Sequence, residues 1–281
     1  VLTVLTRANA RRCRSAPWFL LAVLGSCRAV EAPASGPEVS SFDLTSPVLG
    51  EVRRINVWLP PQYARDPAAR FPVLYMPDGG VDEDFPHVTA TMGALIADGA
   101  VRPFLVVGIQ NTERRRDLTG PTAVASDTKI APHVGGSALF RGFLRDELRP
   151  AISARYRVNG ETAIVGESLA GLFVVETLLL EPQLFDTYIA LDPSLWWNDH
   201  ELVRTASARL RAQSWAGKTL FLTAADEEGI TPFVLALADA LADAPAAPQW
   251  RYVPRPDLHH DTIFRAMEAE AYRTAFAPRG R

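Results

Sequence analysis

Ser168 stands in the run Gly166-Glu167-Ser168-Leu169-Ala170-Gly171, acids gather at Asp226-Glu227-Glu228, and His259-His260 follow near the carboxyl end. A serine hydroxyl is a weak nucleophile at neutral pH until a positioned imidazole takes its proton. The imidazole in turn needs a carboxylate that fixes its tautomer and stabilises its charged form. Addition to a carbonyl then creates an oxyanion, and losing one N–H donor aimed at it costs ~3 kcal/mol of barrier. The amide of Leu169, at the start of a helix, is one candidate donor. The turn Asp78-Gly79-Gly80, after a strand, offers others, although its glycines equally suit an ordinary strand-to-helix turn. Such chemistry uses no cofactor and no metal.

These residues need rigid elements to hold them. Ala163 to Val165 is a short β-rich run reaching Gly166, and Leu172, Phe173, Val175 and Leu178 follow at helical spacing. The pattern is strand, sharp turn, helix, with a serine at the apex and small residues flanking it. The alternative is a serine that merely caps a helix. Continuous apolar runs at Phe71–Met76 and Phe104–Ile109 predict strands buried on both faces. Further strands are expected at Val52–Leu59, Tyr188–Leu191, Lys218–Ala224 and Trp250–Val253. Helical periodicity covers Val88–Ala97, Ser137–Arg155, Leu202–Leu210, Phe233–Leu241 and Phe264–Phe276. Pro150 predicts a kink in the second of these. The polar stretch Asn111–Thr119 reads as a solvated loop. Trp196 and Trp197, just past a strand, would line a pocket for an apolar or aromatic group or pack into the core. Strands alternate with helices without a repeat, so the fold class is α/β: one mostly parallel sheet with helices on both faces.

A net charge of −3 gives no basic field for nucleic acid. The first residues differ from the rest. Arg7, Arg11, Arg12 and Arg14 precede a short apolar run from Pro17 to Leu24, as in an export signal. Leu24-Gly25-Ser26-Cys27 resembles a lipobox, so residues 1–27 are expected to direct export, to a periplasmic, membrane-anchored or secreted location. Cys27 is then a possible lipid attachment to the membrane. Residues 28–41, rich in Ala, Pro, Ser and Gly, are expected to form a tether. Residues 42–281 would form one domain. Both cysteines, Cys13 and Cys27, fall in the first segment, which leaves that domain without a disulfide or a thiol nucleophile.

Serine, acid and histidine occur in the order characteristic of α/β-hydrolases. From Phe71 onward the chain resembles the putative-esterase family of that fold, which includes siderophore esterases and neighbours the esterase D group. The matching stretches are Phe71–Gly79, Val107–Thr112, Arg116–Thr119, Gly166–Leu172 and Pro193–Trp197. The resemblance implies that Ser168 is the nucleophile and that Leu169 and Gly79 supply oxyanion amides. It favours His260 over His259 as the base, because His260-Asp261-Thr262 matches the family's His-Gly-Ser/Thr apart from Asp261. Glu228 would be the acid, with Asp226 an equal alternative since Ala225 replaces the family's glycine. Glu167 stands where a histidine or arginine is commoner. The expected activity is cleavage of small-molecule carboxylic esters through an acyl-enzyme. An acyltransferase, or an inactive hydrolase-like binding module, is the alternative, and oligomeric state is left open.

Overall fold

Runs of five or six apolar residues need cover on both faces, and a central sheet provides it. In the computed structural model, which describes residues 38–278, eight strands form that sheet. They are β1 (Glu38–Ser46), β2 (Glu51–Leu59), β3 (Phe71–Met76), β4 (Leu105–Ile109), β5 (Val158–Glu167), β6 (Thr187–Leu191), β7 (Thr219–Ala224) and β8 (Gln249–Pro254). Their spatial order is β1-β2-β4-β3-β5-β6-β7-β8. Only the β1/β2 and β2/β4 pairs are antiparallel. Every residue of β3, β4 and β6 is buried, whereas the edge strands β1 and β8 alternate between exposed and partly buried positions. This mostly parallel sheet is the α/β-hydrolase fold.

Short helices α1 (Pro61–Arg65) and α3 (Arg114–Leu118) lie in connections. Helices α2 (Phe85–Ala97) and α9 (Ile263–Phe276) cover one face of the sheet, through a cluster that includes Met76, Val88, Met92, Ile189, Met267 and Tyr272. The other face carries α4 (Ser137–Phe143), α5 (Arg149–Arg155), α6 (Ser168–Leu180), α7 (Trp197–Ala212) and α8 (Thr231–Ala242). Helix α6 is buried from Leu169 through Leu179, so it has no polar stripe and is apolar nearly all round. That enclosure gives the residue at its first position a rigid mount.

Three expectations need adjustment. Residues 38–41 are not tether but the start of β1, paired with Leu59 back to Asn56. The stretch Ser137–Arg155 is two helices joined by a π-type turn, Leu144–Leu148. Pro150, which has no amide hydrogen to donate, sits in the first turn of α5, where that loss is harmless. The polar stretch Asn111–Thr119 contains α3, anchored because buried Asp117 pairs with buried Arg53. The expected export segment, with Cys13 and Cys27, lies outside the described residues, as does residue 28–37 of the expected tether. Among the described residues no helix is long and apolar enough to cross a membrane.

Candidate active site

Three neighbouring strands, β3, β5 and β6, each end in a non-glycine residue with positive φ: Asp78 at 56°, Ser168 at 58° and Asp192 at 45°. Such backbone is strained by roughly 1–2 kcal/mol per residue and persists only where its surroundings enforce it. At Ser168 the enforcement is steric. A Cβ on Gly166 would lie 2.5 Å from the carbonyl carbon of Ala170, and one on Gly171 would lie 3.0 Å from Cα of Pro193. The chain can therefore turn from β5 into α6 within one residue, which lifts the hydroxyl out of the sheet. Parallel pairing of Glu167 with Leu191 then sets Ser168 and Asp192 side by side at the carboxyl ends of two interior strands.

His260 reaches this point from the loop between β8 and α9. The amides of Thr262 and Ile263 both donate to the His259 carbonyl, and the Thr262 hydroxyl accepts from the His259 amide, which tightens the turn ahead of α9. His260 Nε2 lies 2.9 Å from Ser168 Oγ, and its Nδ1 lies 2.5 Å from Asp192 Oδ2. Asp192 is fully buried, and its Oδ1 accepts the Ala225 amide at 2.9 Å. The hydrogen bond that His260 Nδ1 donates to Asp192 raises the pKa of His260 above the ordinary imidazole value; burial opposes the rise, and the charges of Glu167, Asp192 and Glu227 add to it. Ser194 Oγ lies 3.3 Å from Ser168 Oγ, and the Ser194 amide donates to the Ser168 carbonyl. The arrangement can move a proton from a serine hydroxyl onto an imidazole whose opposite nitrogen faces a carboxylate. It opens into a cavity of about 230 Å³ that Asp84, His87, Arg114, Glu167, Phe264 and Arg265 help to line.

The acid is where the sequence reading needs correction. Glu228 and Asp226 are exposed, and neither hydrogen-bonds His260 among the described residues. Their strand, β7, is one place further from Ser168 than β6. The Glu227 carboxylate touches only the backbone amide of His260, at 3.3 Å. Asp192 keeps the serine–acid–histidine order, and the sequence does show an aspartate ending the strand that follows the serine's helix. The adjacent Trp196 and Trp197, four and five residues further on, are the other conspicuous residues past that strand. Of these, Trp197 is buried and donates its indole N–H to the Gly120 carbonyl at 2.8 Å, while Trp196 packs against the same core; neither lines the Ser168 cavity. Gly79 also differs from expectation, because its amide already donates to the Ile109 carbonyl at 3.0 Å. A Cβ there would lie 2.3 Å from Cα of Gly108, so this glycine serves the close approach of β3 to β4. The Gly80 amide donates to the Glu83 carboxylate at 2.7 Å. Leu169 lies in the first turn of α6, where amides have no intrahelical acceptor. His259 is exposed and points no ring nitrogen at Ser168. Among the described residues no three His, Cys, Asp or Glu side chains form a group that could hold a metal ion.

The chain is similar to several known proteins. The family model described as putative esterase matches residues 46–229. The ferri-bacillibactin esterase BesA of Bacillus subtilis is 32% identical over 162 residues, 53% of this chain and 56% of that protein. The siderophore triacetylfusarinine C esterase of Aspergillus fumigatus is 32% identical over 182 residues, 59% of this chain and 58% of that protein. The chain thus spans a little over half the length of these curated relatives. An IroE-like serine hydrolase from Shewanella oneidensis superimposes with a TM-score of 0.77 at 27% identity, covering 84% of this chain and 79% of that one.

Proposed function

The chain belongs to the putative esterase family, and on that premise we propose that it is a serine hydrolase that cleaves carboxylic esters through an acyl-enzyme. One observation carries the reading: the hydrogen-bonded chain Asp192–His260–Ser168 beside an open cavity. Neutral His260, protonated on Nδ1 toward Asp192, accepts the Ser168 proton at Nε2 as Oγ attacks the ester carbonyl. The Leu169 amide, at the positive end of α6, faces the oxyanion. Collapse of the tetrahedral intermediate expels the alcohol, which takes the proton back from His260 Nε2. Water then repeats the sequence on the acyl-enzyme and releases the acid.

The substrate we assign is a siderophore ester, because the relatives with 32% identity are named for such esters. The mixed charge around the cavity, with Arg114 and Arg265 beside Glu167 and Asp84, suits a polar substrate better than a long acyl chain. We further propose that the protein works outside the cytoplasm, directed there by residues 1–27; intact mass of the mature protein tests this and any lipid on Cys27. The functional test is hydrolysis of a p-nitrophenyl ester series beside a ferric tris-catecholate triester, with Ser168→Ala as control. Turnover of the triester well above the simple esters, lost in the variant, is the expected result. Turnover of short acyl esters alone would reduce the assignment to a general esterase, and no Ser168-dependent turnover of either would overturn it.

A further inference from the structure

Glu167 immediately precedes the nucleophile, and its carboxylate turns toward the same imidazole nitrogen that Ser168 uses. Its Oε1 lies 3.2 Å from His260 Nε2, close to the 2.9 Å of Ser168 Oγ. The side chain is 16% exposed, and among the described residues this is its one ion pair. His260 therefore has carboxylates at both ring nitrogens, Asp192 on Nδ1 and Glu167 on Nε2.

The two protonation states of the ring respond to this neighbour in opposite ways. Neutral His260, with its proton toward Asp192, offers an Nε2 lone pair that can accept the Ser168 hydroxyl proton. That lone pair faces an ionised Glu167 oxygen, and the contact is repulsive. Protonated His260 donates Nε2–H, and the same oxygen attracts it. Ionised Glu167 thus favours the form of His260 that cannot act as a base. Other charges also face the pair. Arg114, from α3, is held on both oxygens of Asp78 at the end of β3. Asp192 comes from the end of β6 and Glu227 from the loop before α8. Asp84 and His87 come from the start of α2, with Asp261 and Arg265 from the approach to α9 and α9 itself. None of these has a carboxylate oxygen within hydrogen-bond reach of Nε2; Glu167 alone does among the described residues.

We propose that Glu167 is a positioning residue whose charge beside Nε2 favours protonated His260 and thereby sets the pH at which the catalytic base becomes available. The proposal rests on the reading of Ser168 and His260 as the reacting pair. Burial pushes the Glu167 carboxyl up to about 7, with His260 and Arg114 pulling the other way. Two groups this close titrate as a pair rather than one at a time. The sign follows directly: a negative neighbour raises an imidazole's pKa, so removing the charge lowers it and admits the active form at lower pH.

The test uses Glu167→Gln, with Glu167→Ala as a second variant that can make no hydrogen bond to Nε2. The pH dependence of kcat/KM on an uncharged p-nitrophenyl ester is measured beside the NMR titration of the His260 ring in imidazole-labelled protein. In both variants the acid limb and the His260 titration are expected to fall together by about one pH unit. A loss of rate at every pH with neither midpoint moved would mark a merely structural role and overturn the proposal. The NMR titration separates the two readings. If the wild type shows no Ser168-dependent turnover, the proposed activity fails, yet a lower His260 midpoint in the variants still upholds the charge coupling, and an unmoved one still refutes it.

Discussion

Replacing Asp192 by asparagine isolates the role of the acid with almost no change in shape. The residue is fully buried, and its two oxygens have separate duties: Oδ1 accepts the Ala225 amide, and Oδ2 faces His260 Nδ1. An asparagine can keep only one acceptor oxygen. If that oxygen stays on the Ala225 amide, the NH₂ group faces Nδ1 and donates to it. The ring must then carry its proton on Nε2, where it cannot accept from Ser168. The variant also loses the buried charge that stabilises the imidazolium in the transition state. The same substitution in a serine protease triad lowers kcat by about 10⁴, equivalent to ~5.5 kcal/mol of barrier. A loss of that order is expected here in p-nitrophenyl acetate hydrolysis, with the thermal midpoint checked to confirm folding. Glu228→Gln and Asp226→Asn should stay near wild type, since both side chains are exposed and away from the ring. An Asp192→Asn enzyme within about tenfold of wild type, or a Glu228→Gln enzyme as crippled as that triad variant, would refute the assignment.

Other expectations concern the frame that holds these groups. Gly166→Ala should cost about 3 kcal/mol or prevent folding, because its Cβ would meet the backbone of Ala170 at 2.5 Å; chemical unfolding measures this. Glu176→Ala should cost about 3 kcal/mol, since it takes from buried Arg141 the nearer of its two carboxylates, Glu176 at 2.6 Å, and leaves it only Glu181 at 3.1 Å. His87 lies between Asp84 and Glu268 at 3.2 and 2.9 Å; burial works against its charge, but those partners push its pKa up to about 9. Its folded pKa is raised, so the stability it adds is complete below the unfolded imidazole value of about 6.5 and is lost as pH rises through about 9. That contribution is on the order of 2 kcal/mol once partial solvent access is discounted. The thermal midpoint should therefore fall between pH 6.5 and 9 more in wild type than in His87→Gln, and equal slopes would refute the pairing.

The elements closest to the chemistry were the most legible in the sequence. A serine between glycines that each have a backbone contact at Cβ distance leaves one local solution, the tight turn at Ser168. Buried strands such as β3 and β4 announce themselves as unbroken apolar runs, and their bounds agree within a residue with those read from sequence. What pairs with what across the sheet was much less legible. The choice of Asp192 over Glu228 depends on β6, and not β7, lying beside β5, which no local pattern encodes. The Gly79 amide was drawn away by the Ile109 carbonyl, a partner some thirty residues distant in sequence that only the β3–β4 register reveals. Strand β1 carried too many serines and too few apolar positions to stand out from the Ala- and Pro-rich stretch before it. It exists because β2 supplies a complete ladder of partners. Glu167 was visible as an uncommon neighbour of the serine, but its approach to Nε2 is a tertiary fact.

The central claim is that His260 activates Ser168. A fluorophosphonate reacts with a serine only where its hydroxyl is activated, so peptide mapping by mass spectrometry after labelling reads the claim directly. The account predicts one adduct, on the peptide carrying Ser168, absent in Ser168→Ala and lost in folded His260→Gln. An adduct on another residue, or labelling of Ser168 that survives His260→Gln at the wild-type rate, would contradict it.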